Sequence, residues 1–198
     1  MFTGIIVEQA DLLGLSKGSR RTITITADLK KYKLRIGDSV AVNGICLTVI
    51  KMEGGHYSFN ISDETYRLSN FSDLVSKKKI NIELPLKLND YLGGHLVNGH
   101  IDGTVRVKSI QKKVNSVKYS FVFTNREWKN FLIHKGSVAL NGISLTISEI
   151  IGYAFSIEII PHSLDITNLK NLKVNDRVNI ELDLIGKYLY NQTLNFRK

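Results

Sequence analysis

The segment from Leu92 to Gly103 contains the residues of this chain that are best suited to chemistry. It reads LGGHLVNGHIDG, with four glycines and two histidines, His95 and His100, within twelve residues. Glycine lets a ligand approach the backbone closely and an imidazole titrates near neutral pH, which favours binding and proton transfer. Neither GxxxxGK[ST] nor GxGxxG is present, which argues against a phosphate-binding loop. A metal site of His95, His100 and Asp102 is an alternative, although histidines five residues apart are not a standard zinc pattern.

Cys46 is a second candidate, and its surroundings recur further along the chain. Residues 39–50 read SVAVNGICLTVI and residues 137–148 read SVALNGISLTIS, so Ser144 stands where the first copy has Cys46. Both side chains offer a small polar group at the same place, which favours a pair of equivalent sites. The alternative is that Cys46 is a small buried hydrophobic residue, as isolated cysteines often are.

A third set of polar residues flanks the turn before a predicted short helix in each copy. Its members are Asn60, Ser62 and Thr65 in the first copy, and Glu158, His162 and Ser163 in the second. Free backbone N–H groups at a helix start can bind a carbonyl or a polar ring edge. Simple capping by Thr65 and Ser163 is the alternative.

The elements that must position these residues are duplicated. The offset of 98 residues between the two motifs persists to INIEL at 80–84 and VNIEL at 178–182. The start is less clear, because Thr3–Ile6 resembles Asp102–Val105 at an offset of 99. The first copy is therefore predicted to run to about residue 95, and the second to begin near Gly99.

Each copy has the pattern of a small closed barrel. Residues 21–26 and 117–123 alternate as strands do, and Asn43-Gly44 and Asn141-Gly142 are hairpin or bulge signals. Short helices are predicted at 27–34 and 126–134, and after the turns at 62–65 and 161–163. The tail at 184–196 has the spacing of an amphipathic helix, which needs either its own domain or another subunit as a partner surface.

Composition limits the classes of protein that need to be considered. The chain has 198 residues, enough for two domains, and a net charge of +9 with one basic run, Lys77–Lys79. That charge alone favours a nucleic-acid binder, but no aromatic residues interleave a basic stripe. The single cysteine excludes an intrachain disulfide, and we find neither a signal-peptide pattern nor a membrane-spanning apolar run. A cytoplasmic protein without membrane or nucleic-acid partners is expected.

The motifs MFTGII, VNGICLTV, GGHLVNGHIDG, LNGISLTI and IPHSLDITNL together resemble the riboflavin synthase family, over essentially the whole chain. The resemblance implies an all-β fold of two tandem homologous six-stranded Greek-key barrels, at 1–95 and 96–184, with a C-terminal helix at 185–198 for trimer contact. It implies a homotrimer that converts two molecules of 6,7-dimethyl-8-(1-D-ribityl)lumazine into riboflavin and a pyrimidine, without cofactor or metal. Whether the chain also associates with lumazine synthase stays open.

The resemblance also implies the site residues. Ser39, Cys46 and His100 match positions that the family associates with catalysis. The first binding site would use Gly4, Ile5, Ile6, Cys46, Leu47, Thr48, Asn60, Ile61, Ser62, Asp63, Glu64 and Thr65. The second would use Gly99, His100, Ile101, Lys135, Ser144, Leu145, Thr146, Glu158, Ile159, Ile160, Pro161, His162 and Ser163. Ser69 and Asn98 depart from the family pattern without removing a group that has a role here.

Two rival functions remain at this point. A non-catalytic lumazine or flavin carrier of the same superfamily would bind these molecules without turnover, and the retained Ser39, Cys46 and GGHLVNGH segment speak against it. A small-barrel nucleic-acid binder is favoured by charge alone, and its binding would depend strongly on salt.

Overall fold

The structure, a computed structural model, describes residues 1–16, 21–74 and 78–195. Lys77 of the basic run and Phe196 at the end of the predicted tail lie outside these residues. The described chain forms two closed antiparallel barrels of six strands each, followed by a helix, as predicted. The first barrel consists of β1 (Glu8–Leu15), β2 (Arg21–Thr26), β3 (Ser39–Val42), β4 (Ile45–Glu53), β5 (His56–Ile61) and β6 (Lys79–Glu83). The second consists of β7 (Gly103–Lys112), β8 (Val117–Val122), β9 (Ser137–Leu140), β10 (Ile143–Ile151), β11 (Ala154–Ile159) and β12 (Arg177–Leu182).

Both barrels have the same Greek-key strand order. Around the first barrel the order is β1-β2-β5-β4-β3-β6, and the second repeats it. Alternating residues fill each interior: in β4, Ile45, Leu47 and Val49 point into the core, whereas Cys46 and Thr48 lie on the outer face. The described strands pair around the closed barrel, and because apolar side chains fill its interior, a ligand beside these strands would lie on the outer face.

The two Asn-Gly pairs form the tight β3–β4 and β9–β10 hairpins. Asn43, Gly44, Asn141 and Gly142 all have positive φ angles, between 45° and 80°, as a two-residue turn of this kind requires. The turns pack against each other, since a Cβ on Gly44 would lie 2.5 Å from the backbone nitrogen of Gly142. The hairpins therefore meet where the two barrels dock.

A network of buried asparagines joins the barrels at this contact. Its members are Asn43, Asn70, Asn81, Asn141, Asn168 and Asn179. The Asn81 side chain donates to the Asn141 carbonyl at 3.1 Å, and the Asn179 side chain donates to the Asn43 carbonyl at 2.9 Å. Because these two bonds are counterparts, as are the bonds from Asn70 to Asn141 and from Asn168 to Asn43, the barrels are related by an approximate two-fold axis. Buried, paired amides of this kind fix one relative orientation of the barrels.

The predicted alignment at the start of the two copies is wrong. Gly4 corresponds to Gly99, and not to Gly103, because Gly4 accepts a bond from Ser144 and Gly99 accepts the equivalent bond from Cys46. The offset is thus 95 residues at the start and 98 from β3 onwards, and the loops before β3 absorb the difference. Comparison of short motifs missed this because the hydrophobic residues at the two starts differ.

The helices are shorter than the sequence pattern suggested. The predicted helices at 27–34 and 126–134 are 3₁₀ turns at Lys30–Tyr32 and Arg126–Asn130. The turns after β5 and β11 lead into α1 (Asp63–Leu68) and α2 (Pro161–Asp165), and the tail forms α3 (Leu184–Asn195). In the described part of the chain, none of the helices is long and apolar enough to cross a membrane.

Candidate active site

The segment that precedes each barrel lies on the other barrel. Residues 2–6 precede β1, yet Gly4 accepts a hydrogen bond from the Ser144 N–H on β10 at 2.8 Å, and Ile6 packs in the core of the second barrel. Reciprocally, Gly99 accepts a bond from the Cys46 N–H at 2.8 Å, and Ile101 packs against the core of the first barrel. The two segments cross at a β-bridge between Phe2 and Val97.

This exchange corrects the grouping of the predicted site residues. Gly4, Ile5 and Ile6 were expected beside Cys46, and Gly99, His100 and Ile101 beside Ser144. The structure places the first set with Ser144 and the second set with Cys46. The contacts are tight, since a Cβ on Gly99 would lie 2.6 Å from the Cys46 Cβ and one on Gly4 would lie 2.5 Å from the Ser144 Cβ. Glycine is required at both positions, which also have φ of +78°.

Two buried carboxylates hold these segments. Glu83 on β6 accepts hydrogen bonds from the Thr3 N–H at 2.6 Å and the Gly4 N–H at 3.0 Å. Glu181 on β12 accepts from the Asn98 N–H at 2.7 Å and the Gly99 N–H at 2.9 Å. Burial raises the pKa of both carboxyl groups, and the backbone N–H donors oppose that increase. Neither glutamate is among the predicted site residues, although the repeated Asn-Ile-Glu in β6 and β12 places a charge within a buried strand.

The face that carries Cys46 also carries Ser39 and Thr48. In the register of β3 and β4, Ala41 pairs with Cys46 and Ser39 pairs with Thr48, so all four side chains lie on the outside of the barrel. Cys46 is half-buried beside an apolar cluster between the barrels, and Thr48 is exposed. Cys46 is therefore not part of the barrel core, which removes the core-filler explanation for this cysteine.

The equivalent face of the second barrel is covered by the linker. The Ser144 hydroxyl hydrogen-bonds to His95 Nδ1 at 2.7 Å, and a Cβ on Gly94 would lie 2.8 Å from the Ser144 Oγ. Burial lowers the pKa of His95, and the negative charge of nearby Asp183 opposes this effect. Among the described residues, the structure shows no equivalent side-chain hydrogen bond to Cys46. The two faces thus differ by more than the change of Cys46 to Ser144.

His100 extends from the segment that lies on the first barrel. Its side chain is exposed, one residue after the Gly99 carbonyl that binds Cys46. Ile5 occupies the equivalent position on the second barrel and is 46% exposed. The exchange therefore places His100 directly after the residue that contacts Cys46, on the barrel whose outer face also carries Ser39.

The polar turn of the first copy is built by a helix cap. The Ser62 hydroxyl accepts a bond from the Thr65 N–H at 3.1 Å, so Ser62, and not Thr65, is the N-cap of α1. Asp63 pairs with Arg21, whose guanidinium lies 4.5 Å from the centre of the Tyr66 ring. The Asn60 side chain accepts from Thr22, and Glu64 is exposed.

The second copy lacks this cap. Ile160 is the N-cap of α2 and makes no side-chain cap bond, and Pro161 follows it. Glu158 accepts a hydrogen bond from Lys113, and this bond, together with the positive charge of the lysine, lowers the pKa of the Glu158 carboxyl. The His162 side chain is exposed, and the Ser163 carbonyl accepts from the Thr167 hydroxyl at 2.6 Å. Polar groups thus reach solvent at both turns, but they are held by different partners.

Some predicted binding residues can offer a ligand only backbone atoms. Leu47, Ile61 and Ile159 are at most 6% exposed because their side chains fill the barrel cores. Leu145 is half-buried against the second core, whereas Thr146 and Ile160 are exposed. Lys135 is exposed in the turn before β9, with φ of 65° and its N–H bonded to the Ile147 carbonyl.

The residues of the metal alternative are engaged separately. His95 binds Ser144, and Asp102 forms an ion pair with Lys187 at 2.8 Å. Across residues 1–16, 21–74 and 78–195, no three His, Cys, Asp or Glu side chains come together as a metal site requires. A cleft of about 750 Å³ lies elsewhere, between the barrels, where it is lined by Asn70, Asn168 and Lys173 among others. None of the predicted site residues lines it.

Comparison with known proteins agrees with this architecture. The lumazine binding domain family matches twice, at residues 3–85 and 98–183. Riboflavin synthase of Bacillus subtilis (strain 168) is 37% identical over 191 residues, which are 96% of this chain and 88% of the relative. Riboflavin synthase of Escherichia coli (strain K12) is 36% identical over 185 residues, 92% of this chain and 87% of the relative.

The chain belongs to the riboflavin synthase family. Among solved structures, LumP complexed with riboflavin superposes with a TM-score of 0.84 at 27% identity, covering 92% of this chain and 99% of LumP. LumP complexed with 6,7-dimethyl-8-(1'-D-ribityl) lumazine gives a TM-score of 0.82 at 26% identity, covering 91% of this chain and 98% of LumP. The fold thus accommodates both ligands in a relative.

Proposed function

We propose that the protein is a riboflavin synthase. It would move a four-carbon unit from one molecule of 6,7-dimethyl-8-(1-D-ribityl)lumazine to a second, which yields riboflavin and 5-amino-6-(D-ribitylamino)uracil. The two products contain all the atoms of the two substrates, and no external oxidant or reductant is consumed. The observation that supports this most directly is the pair of equivalent ligand faces in one chain, together with relatives of that name over nearly its whole length. Two faces suit a reaction between two copies of one substrate.

The residues beside Cys46 have the chemistry that this reaction needs. A proton must leave the acidified methyl group of one lumazine, the resulting carbanion must attack the second ring, and protons must later return. We propose that His100 and Ser39 transfer protons, and that Cys46 acts at the attacked ring as a nucleophile or a hydrogen-bonding group. Holding two rings face to face supplies much of the acceleration, up to about 7–11 kcal/mol in ideal cases.

The polar groups at the helix turns suit the ribityl chain. Asn60, Ser62 and Thr65 in the first copy, and Glu158 and Ser163 in the second, offer hydroxyl, amide or carboxylate groups at the rim of each face. Ribityl hydroxyls bind such groups, whereas exposed Ile5 and Ile160 would cover part of a flat ring. The exposed Lys135 is proposed to contact the ligand of the second copy or of a neighbouring subunit.

We further propose a homotrimer, in which barrel one of one subunit faces barrel two of another. The support is α3, which presents Ile185, Tyr188 and Leu189 to solvent at 57%, 67% and 63% exposure. An apolar helix face of this kind favours a partner surface. We place the protein in the cytoplasm because it has a single cysteine. Association with lumazine synthase is a further proposal, to be tested by co-purification.

A lumazine carrier is the second candidate, and the fold similarity to LumP favours it. The enzyme is preferred because the riboflavin synthases of Bacillus subtilis and Escherichia coli are 37% and 36% identical to this chain, above the 26–27% of LumP. The test is to mix purified protein with the ribityllumazine after exhaustive EDTA treatment, without added cofactor. The enzyme would form one riboflavin for every two substrates consumed. A carrier would bind the substrate and leave its concentration unchanged.

A further inference from the structure

In the part of the chain that the structure describes, two carboxylates lie buried between the barrels, those of Glu83 and Glu181, at 3% and 4% exposure. They lie on the outer faces of β6 and β12, beside Ala41 and Ala139 of the neighbouring strands. Core formation does not require them there, because the barrel interiors are filled by Ile80, Ile82, Val178 and other apolar residues. Burying a carboxylate costs free energy unless it is hydrogen-bonded, so the bonds that it makes indicate its purpose.

Every hydrogen bond of Glu181 shown by the structure goes to the segment that lies on the first barrel. Each carboxylate oxygen accepts one bond: Oε1 accepts from the Asn98 N–H, and Oε2 accepts from the Gly99 N–H. The Gly99 carbonyl in turn accepts from Cys46, and His100 follows directly. A chain of short contacts therefore runs from a strand of barrel two, through the backbone of residues 98–99, to the Cys46 face of barrel one.

Glu83 makes the mirror-image connection. It belongs to barrel one and binds Thr3 through both the N–H at 2.6 Å and the hydroxyl at 2.9 Å, and it also binds the Gly4 N–H. The Gly4 carbonyl accepts from Ser144 on barrel two. We call each glutamate, together with the backbone segment that it binds, a clamp. The two clamps differ in the residue that follows the bound segment. After the segment bound by Glu181 comes His100, which can transfer a proton, and after the segment bound by Glu83 comes Ile5, which can only cover a surface.

We propose that Glu181 and Glu83 are positioning residues that act across the barrel interface, so that each ligand face is completed by a carboxylate belonging to the other barrel. Glu181 holds His100 over the Cys46 face and thereby sets the rate of the chemical step. Glu83 holds Ile5 over the Ser144 face and thereby sets affinity for the second substrate molecule. The separate effects on rate and affinity rest on the proposed function, whereas the positioning of the two segments by the glutamates rests on the hydrogen bonds alone.

Glutamine is the informative replacement at both positions. Each carboxylate uses both oxygens as acceptors, so an amide would turn one of them towards a backbone N–H as a donor and lose that bond. A displacement of about 1 Å at a reacting group can cost about a hundredfold in rate. We therefore expect Glu181→Gln to lower kcat by roughly ten- to a hundredfold with KM within about twofold. Glu83→Gln should mainly raise KM.

The experiment compares Glu181→Gln, Glu83→Gln and the exposed control Glu53→Gln with the wild-type protein. Steady-state kinetics is combined with amide hydrogen exchange of Asn98 and Gly99, and all assays are run well below each unfolding midpoint. Loss of protection at these two amides in Glu181→Gln, with β12 still protected, is expected. If Glu181→Gln does not fold, Glu181→Asp, which keeps the charge on a shorter side chain, takes its place and should lower kcat less.

Two results would overturn the proposal. One is a Glu181 variant with unchanged kcat and unchanged exchange at Asn98 and Gly99. The other is an identical loss of kcat in the Glu181 and Glu83 variants, which would indicate that both residues only stabilise the fold. Absence of turnover in the wild-type protein would instead refute the proposed function, and the exchange data would still decide whether the clamps exist.

Discussion

Replacing Cys46 and Ser144 with alanine removes equivalent atoms from the two barrels, yet the structure predicts different consequences. In Ser144→Ala, His95 Nδ1 loses its 2.7 Å hydrogen bond while the ring stays half-buried. Leaving such a group unpaired costs about 1 kcal/mol when it is only partly buried. For a chain of this size, 1 kcal/mol lowers Tm by about 2–4 °C.

Cys46→Ala should have a smaller effect on stability. In the part of the chain that the structure describes, the Cys46 thiol makes no hydrogen bond, and its neighbours are the apolar Phe2, Ala41, Val97 and Ala139. Losing part of that contact is worth less than about 1 kcal/mol, so Tm should change by under about 2 °C.

The order is reversed for the rate. If Cys46 acts at the attacked ring, Cys46→Ala should lower kcat by at least about a hundredfold, the usual scale for one chemical group. Ser144→Ala should lower it by less than about tenfold, because its proposed role is to hold His95 and the second substrate. Cys46→Ser should be intermediate, since a hydroxyl keeps a hydrogen bond but is a weaker nucleophile than a thiol.

These expectations are tested by three measurements on all three variants: Tm by calorimetry, kcat at saturating lumazine, and the affinity for riboflavin. Equal rate losses in the two alanine variants would show that the asymmetry has no catalytic meaning. An unchanged Tm in Ser144→Ala would show that the His95 bond adds nothing to stability. Normal turnover in Cys46→Ser with a lowered Tm would return Cys46 to a purely structural role.

His100→Ala should lower kcat far more than it weakens substrate binding, because the side chain is exposed beside the Cys46 face; weak binding with an unchanged saturated rate would contradict this. Burial lowers the pKa of His95, so the stability that this residue contributes is present above about pH 6.5 and is lost as the pH falls towards its folded-state pKa. Urea unfolding at pH 7.5 and 5.5 should therefore show a larger loss for wild type than for His95→Gln. A fragment of residues 1–95 lacks residues 99–101, and we expect it to associate into dimers whose residues 2–6 cover each other's Cys46 face. Light scattering that shows only a monomer with normal riboflavin affinity would contradict that expectation.

Much of the fold could be predicted because it is encoded locally. The alternation in β2 and β8 and the Asn-Gly turns at 43–44 and 141–142 are short-range signals, and the constant offset from β3 onwards identified the duplication. The start of each copy could not be aligned in the same way. Residues 2–6 and 97–101 contact the other barrel, so their side chains are selected by distant neighbours and not by the strand that they precede.

The candidate site was predicted in its parts but not in its assembly. Cys46 and Ser39 lie on one face by strand register, but Gly99, the residue before His100, reaches that face only because the leading segments exchange, which no pattern along the chain reports. The sequence predicted Thr65 as the helix cap, but the cap is Ser62, which lies three residues, or about one helical turn, earlier. The roles of His95, Glu83 and Glu181 depend on partners about 50 to 80 residues away, and these partners are known only once the barrels are docked.

Because the leading segments exchange, the two barrels of this chain pair as two subunits of a dimer would, with the connection between β6 and β7 joining them. Leu88 and Tyr91, in the connection after β6, are almost entirely exposed, so this stretch serves mainly to raise the effective concentration of one barrel near the other. Residues that complete one ligand face thus come from distant parts of the sequence. A substitution of Glu181 in β12 would therefore change the Cys46 face of barrel one. Cutting the chain between Leu88 and Tyr91 would leave the hydrogen bonds of Glu83 and Glu181 intact, whereas a cut directly after Val97 would separate the residue that pairs with Phe2 from the segment that Glu181 binds.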